Sequence, residues 1–243
     1  SIAFSNNILH PQSIIKNAFS YNDSNKSTIK NLNFTGNYTY PIFLSGESVY
    51  AENCNSYANY EFRNFGDSIA LNVFSPWGNE VHKLTNCTNY GNISSKGGNT
   101  LCCGLLLAEI VDSCVNYGNI SLSSCFGIYG GRVTNSINYG DIIGTNNSLS
   151  NIFNVDRFVN NKIIRHTMNY SLGICGCGWN GPECIRNCQN FGYIYSDGVA
   201  AGFSTVVIHS YDILYMVNCS NFGKITGNKS AGINAIDYNS HYD

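Results

Sequence analysis

With 243 residues the chain is long enough to bury a sizeable core, and its formal net charge of −2, on only 12 % charged residues, leaves no basic footprint for nucleic acid or an anionic membrane. Aromatic residues reach 13 % and Tyr outnumbers Phe, so solubility falls to neutral polar groups, above all Asn. The longest apolar run, LCCGLLLAEIV at 101–111, is too short to cross a bilayer and is broken by Gly104 and Glu109, which excludes a membrane span in this segment.

The sequence opens at Ser1 without a leader-like charged and apolar stretch and stops after a half-unit, SAGINAI, so we read it as a mature or excised portion of a longer parent chain. Residues 46–243 are organised by a repeat. A degenerate copy, NCNSYANY at 53–60, is succeeded by NCTNYGNI at 86–93, SCVNYGNI at 113–120, NSINYGDI at 135–142, NCQNFGYI at 187–194 and NCSNFGKI at 218–225. Residues 1–45 carry only a faint echo of this repeat, in IKNLNFTGNY at 29–38, and read as an atypical N-terminal coil or cap.

Aligned, these copies give columns. One reads Cys54, Cys87, Cys114, Ser136, Cys188, Cys219; the next Ser56, Asn89, Asn116, Asn138, Asn190, Asn221. An aromatic column comes after it, Tyr57, Tyr90, Tyr117, Tyr139, Phe191, Phe222, and then Ala58, Gly91, Gly118, Gly140, Gly192, Gly223. A weaker second element, small-small-Gly-apolar, lies between copies: CCGLL from Cys102, CFGIY from Cys125, SLGIC from Ser171, AAGFS from Ala200 and SAGIN from Ser230. Short runs of β-branched and aromatic residues bounded by Gly, Asn and Ser are strand-and-turn chemistry.

Successive copies begin about 33, 27, 22, 52 and 31 residues apart, the spacing of a solenoid that tolerates insertions. The expected fold is therefore all-β, a parallel β-solenoid (β-helix) of about six coils, right-handed by the usual crossover rule. A propeller or sandwich would also supply short strands, but not the same residue order with variable insertions. In a solenoid each column becomes a row with about 4.8 Å between like residues. Stacked Asn side chains would bond amide to amide along the axis, the aromatic row would stack, and the glycine after it would take a positive φ at a corner. One insertion, at about 143–168, places Ile152, Val155, Val159 and Ile163 at helical spacing and reads as a short helix or lid.

Eleven cysteines follow the repeat and not a zinc pattern, and together with many N-x-S/T acceptors they favour a secreted or cell-surface protein. The glycosylation candidates are Asn22, Asn25, Asn33, Asn37, Asn92, Asn119, Asn146, Asn169 and Asn228; Asn86 and Asn218 also head acceptors, but lie directly before a row cysteine and too near the core. CGCGWNGPEC at 175–184 reads as a disulfide-stapled loop, Cys175 or Cys177 with Cys184, in preference to a metal site. Cys102 and Cys125 share a column and are also disulfide candidates, whereas the cysteines of the motif row read as buried thiols, with Cys87 and Cys114 able to pair.

No catalytic constellation emerges. The position after the motif glycine reads Asn59, Asn92, Asn119, Asp141, Tyr193, Lys224, so carboxylates do not recur on neighbouring coils as a polysaccharide lyase or hydrolase would need, and no histidine signature occurs. No cofactor or metal is expected.

The motifs NCTNYGNI, NCQNFGYI and NCSNFGKI, with the intervening AAGF and SAGI, make the segment at about 52–236 resemble the GLUG-type and related Asn-Cys-x-Asn-aromatic-Gly repeats of large cell-surface proteins. The resemblance implies a parallel β-solenoid serving attachment or a surface assembly, and it identifies no catalytic residue. The expectation is a non-catalytic extracellular stalk, adhesin segment or filament subunit whose partners are copies of itself, stacked head to tail, or further parts of a parent chain. The alternative is a carbohydrate-binding or polysaccharide-cleaving β-helix, in which Tyr193, Tyr195, Trp77 and Trp179 would meet surface glycans.

Overall fold

The computed structural model describes residues 3–4, 27–31, 33–38, 49–62, 69–72, 81–95, 100–122, 124–144, 153–154, 165–166, 170–176, 183–207 and 215–237. The described residues are all strand, turn or irregular, and no helix occurs among them. Every pairing in the large sheet is parallel. This is a β-solenoid-like arrangement, and the repeat columns are its rows.

The short motif strand Thr88–Asn89 pairs on one side with Asn55–Phe62 and on the other with Val115–Asn116, which continues through Ile137–Asn138 and Gln189–Asn190 to Ser220–Asn221. The isoleucine that ends each motif runs in register from Ile93 through Ile120, Ile142 and Ile194 to Ile225. The second element stacks as aligned, Cys102 on Cys125, then Ser171, Ala200 and Ser230. Insertions leave these ladders unbroken: Ile142 pairs with Ile194 across the longest of them.

The core follows from the two-residue period of the strands. Leu84, Val111, Val133 and Ile185 form one buried row, Ile93, Ile120, Ile142 and Ile194 a second, and Ile128, Ile174 and Phe203 a third. Each such side chain contributes about 1.5–3 kcal/mol by leaving water, and repetition of the coil multiplies the term. The described parts of 1–45 continue the same ladder without a break: Lys30 pairs with Glu52, Asn33 with Asn55 and Gly36 with Ala58. Lys30 also forms an exposed 2.6 Å ion pair with Glu52.

One expectation is corrected. From the motif at 53–60 onward the positive φ expected at the motif glycine lies instead at the first residue of the motif: Asn53, Asn86, Ser113, Asn135, Asn187 and Asn218 have φ between 50 and 55°, while in the unit at 31–38 both Asn31, at 58°, and Gly36, at 136°, are positive. Asn tolerates that region because its side chain bonds locally, which explains its choice there. The motif glycine has another job. A Cβ on Gly91 would lie 1.8 Å from the Ala58 carbonyl oxygen, and one on Gly118 1.9 Å from that of Gly91, so neighbouring backbones approach too closely for a side chain.

Within 143–168, Phe153–Asn154 and Arg165–His166 form a two-stranded antiparallel ladder. Ile152, Val155, Val159 and Ile163, on which the expected short helix rests, are not among the described residues.

Candidate functional site

The rows are the chemically distinctive part of the molecule. The innermost polar row is Asn89, Asn116, Asn138 and Asn190, all fully buried, ending at a half-buried Asn221. Asn89 Nδ2 donates to Asn116 Oδ1 at 2.8 Å, Asn116 to Asn138 at 2.8 Å, Asn138 to Asn190 at 2.7 Å and Asn190 to Asn221 at 2.7 Å. The second amide hydrogen of each goes to the carbonyl of the motif glycine two residues on, as in Asn116 to Gly118 at 3.0 Å. A buried amide is tolerated only when its bonds are made, and these are made to the same partners on every coil. The ladder is directional, donating toward the C-terminus. At its other end Ser56 stands in the column, its buried Oγ without a hydrogen-bond partner.

The glycine of the second element makes room for this ladder. A Cβ on Gly127 would lie 2.3 Å from Asn138 Oδ1, on Gly173 2.6 Å from Asn190 Oδ1, and on Gly202 2.4 Å from Asn221 Oδ1. Two sequence elements that look unrelated are halves of one packing unit. Sequence reasoning missed this, although their alternation along the chain was the available signal.

Outside the Asn ladder runs a ribbon of rings. Tyr57 and Tyr90 stack at 4.6 Å, Tyr90 and Tyr117 at 5.1 Å, Tyr117 and Tyr139 at 4.9 Å, Tyr139 and Phe191 at 5.0 Å, Phe191 and Phe222 at 4.8 Å. Their planes are within 15° of parallel, so faces are covered by neighbours and edges meet solvent. Partial burial, then the neighbouring Tyr57 and Tyr117 phenols, push the Tyr90 hydroxyl above its ordinary pKa.

Two further polar rows flank the corner. The left-handed residues form an exposed ladder that donates the opposite way, Asn86 to Asn53 at 2.6 Å, Asn187 to Asn135 at 3.1 Å and Asn218 to Asn187 at 2.9 Å. Where Ser113 interrupts it, Asn135 donates to Asp112 at 2.9 Å. Burial alone would raise the Asp112 carboxyl, but bonds from Thr134 and Asn135 outweigh it and leave the group below the ordinary carboxylate value. After the motif glycine, each side-chain oxygen accepts the next coil's backbone N–H: Asn59 from Asn92, Asn92 from Asn119, Asn119 from Asp141, Asp141 from Tyr193. The one carboxylate of that row thus does what its asparagines do.

Among the glycosylation candidates, Asn37, Asn92, Asn119 and Asn228 are exposed and Asn33 is half-buried, its Oδ1 accepting from Asn55 Nδ2 at 2.9 Å. Asn228 Nδ2 donates to the Asp197 carbonyl. Asn22, Asn25, Asn146 and Asn169 lie outside the described residues, as do Trp77, Trp179 and Cys177.

The cysteine row is held as thiols. Cys87, Cys114, Cys188 and Cys219 each turn Sγ toward the carbonyl two residues back, at 3.1–3.4 Å, and Ser136 makes the same bond to Thr134 at 2.7 Å. That shared bond explains why Ser substitutes for Cys here. The pairing of Cys87 with Cys114 is not formed. Nor are the bridges of Cys102 with Cys125 or of Cys175 with Cys184, because Cys125 and Cys175 are buried thiols. Cys102 and Cys125 are register partners. Cys125 Sγ instead faces Ser171 Oγ at 3.8 Å.

Cys219 differs from the rest of its row. The hydrogen bond with Cys188 brings its pKa down to about 7 against the opposing effect of burial, while Cys188 is pushed up by the same bond and by burial. No group of three or more His, Cys, Asp or Glu side chains able to hold a metal occurs among the described residues. No protein family, curated protein or solved structure matches the chain.

Proposed function

We propose that this chain is a non-catalytic structural segment of an extracellular β-solenoid, a surface stalk or adhesin segment in which about six motif coils, wound right-handed, form a rod extended by further coils. One observation carries the reading: the recurrent side chains, buried and exposed alike, are engaged in joining one coil to the next. The inner asparagines bond along the axis, the rings stack, and the outer asparagines bridge backbone and side chain of adjacent coils. Such a surface lends stiffness to a rod and leaves little chemistry for turnover. The repeat's resemblance to GLUG-type surface proteins supports the same reading, as do the exposed acceptors Asn37, Asn92, Asn119 and Asn228, at which N-linked glycans would sit.

A carbohydrate-binding role is the second reading. Tyr193 and Tyr195 lie 6.5 Å apart at a tilt, Lys224 sits 5.9 Å from the Tyr193 ring, and Phe222 exposes its outer face. The stacked row itself offers sugars only ring edges, which weakens this reading, because sugars bind ring faces. The test combines negative-stain microscopy with assays for polysaccharide binding and cleavage. Rods with glycan mass on the named asparagines are expected, and new reducing ends from a polysaccharide would overturn the structural role.

A further inference from the structure

The aromatic row carries a group that its stacking does not use. Tyr57, Tyr90, Tyr117 and Tyr139 lie on consecutive coils with centroids 4.6–5.1 Å apart and planes within 6° of parallel. Phe191 and Phe222 continue the same stack without a hydroxyl, so the ring alone is enough for it. None of the four hydroxyls makes a hydrogen bond to a described residue, and the four side chains are 40–46 % exposed. Elsewhere the phenols are engaged: Tyr195 donates to Asp197 Oδ1 at 2.7 Å, and Tyr129 is buried.

A phenol that gives one electron to an oxidant and its hydroxyl proton to water becomes a radical, with unpaired spin on the oxygen and on the ortho carbons of the ring edge. In this ribbon the faces are covered and the edges meet solvent, so the reactive carbons are the exposed part. The negative faces of the rings above and below stabilise positive charge on the ring between them, which draws oxidation to the ribbon. Coupling within the stack is opposed by geometry. Parallel rings present faces to each other and not ortho carbons, and the backbone N–H groups of Tyr90, Tyr117 and Tyr139, each bonded to the preceding coil at 2.7 Å, hold them so.

We propose that Tyr57, Tyr90, Tyr117 and Tyr139 form a site of oxidative cross-linking, at which hydrogen peroxide, used by a haem peroxidase, joins neighbouring copies of this chain side to side through dityrosine. Two phenols on different chains each lose one electron and one proton; the peroxide takes up both pairs, its O–O bond breaks and two waters form. The radicals join through one ortho carbon each, and each ring then transfers its ortho hydrogen to oxygen, which restores both phenols. This rests on the extracellular-rod reading above, which supplies copies lying alongside one another. Glycans on Asn92 and Asn119 would screen Tyr90 and Tyr117, whereas Tyr57 and Tyr139 have no acceptor two residues on, at Asn59 and Asp141.

The test treats the full, unglycosylated chain with hydrogen peroxide and a haem peroxidase, then reads dityrosine fluorescence, covalent dimers and the linked peptides by mass mapping. Dimers are expected, with linkages concentrated in the four ribbon residues of a chain that has 17 tyrosines. Exposure alone would favour Tyr215, at 48 %. A chain with Phe at all four ribbon positions, a residue the row already accepts, should keep its melting temperature and lose the dimer. Phe at Tyr193, Tyr195 and Tyr215 should leave the dimer in place. Linkage through Tyr215 as often as through the ribbon, linkage between stacked neighbours of one chain, dimers undiminished by the ribbon substitutions, or no dimer at all would each overturn the proposal. The linkage map of the parent chain decides the matter even if the ribbon variant fails to fold. Polysaccharide cleavage would overturn the structural role while leaving that map interpretable.

Discussion

The coils that begin at Ser113 and Asn218 carry nearly the same motif, SCVNYGNI and NCSNFGKI, yet they are physically different objects. In the first, Asn116 and Cys114 are fully buried between two coils, and each ring face of Tyr117 is covered. In the second, Asn221 and Cys219 are half-buried and Phe222 keeps one face open. Identical residues therefore do different work according to how many neighbours their coil has.

Substitution sharpens the contrast most at glycine. Gly118→Ala forces a Cβ to 1.9 Å from the Gly91 oxygen and 2.6 Å from Asn89 Nδ2, so the coils must spread; a loss above about 4 kcal/mol is expected in chemical denaturation. Gly232→Ala, with open space, should fall within about 0.5 kcal/mol of the parent. Equal losses at both would mean that the coil spacing is set by something other than the glycine row.

Next comes the ladder. Asn116→Ala removes an acceptor from Asn89 and donors to Asn138 and Gly118, stranding buried polar atoms on both sides, and about 3 kcal/mol should be lost. At Asn221, where water reaches the site, the same change should cost about 1 kcal/mol. Thermal melts of the two variants provide the check.

Thiol chemistry should separate the two coils without mutation. Cys219 is half-buried with a pKa of about 7, so alkylation and mass mapping should find it modified before the other cysteines of its row, with a rate that rises through neutral pH. Cys87 is buried and pushed up by its bond with Cys114 and by burial, and it should react only on unfolding. The smallest effect concerns Asp112. Its folded carboxyl is below the unfolded value, so its contribution is present above about pH 4 and lost as pH falls further. Asp112→Asn should flatten a small part of the acid decline in melting temperature.

Much of the architecture was legible because a row is a column of the alignment. The Asn89 and Tyr90 columns could be read as ladders since stacking like on like requires the same residue at each turn. Expectation and structure part where a residue's neighbour lies elsewhere in the coil. Gly91 would permit a positive φ, yet Asn86 is the residue that adopts one, and it bonds along its own row. Cys102 and Cys125 share the expected register, yet Cys125 is held as a thiol beside Ser171.

By itself, the sequence determined that the chain is repetitive, strand-forming and sparsely charged, and which residues recur together, since these are properties of local order and spacing. Only the tertiary structure decided what the recurring residues touch. That Gly127 exists for Asn138, that Ser136 can stand for a cysteine, and that Gly232 faces empty space all depend on contacts between segments far apart along the chain, whose separation no local pattern encodes.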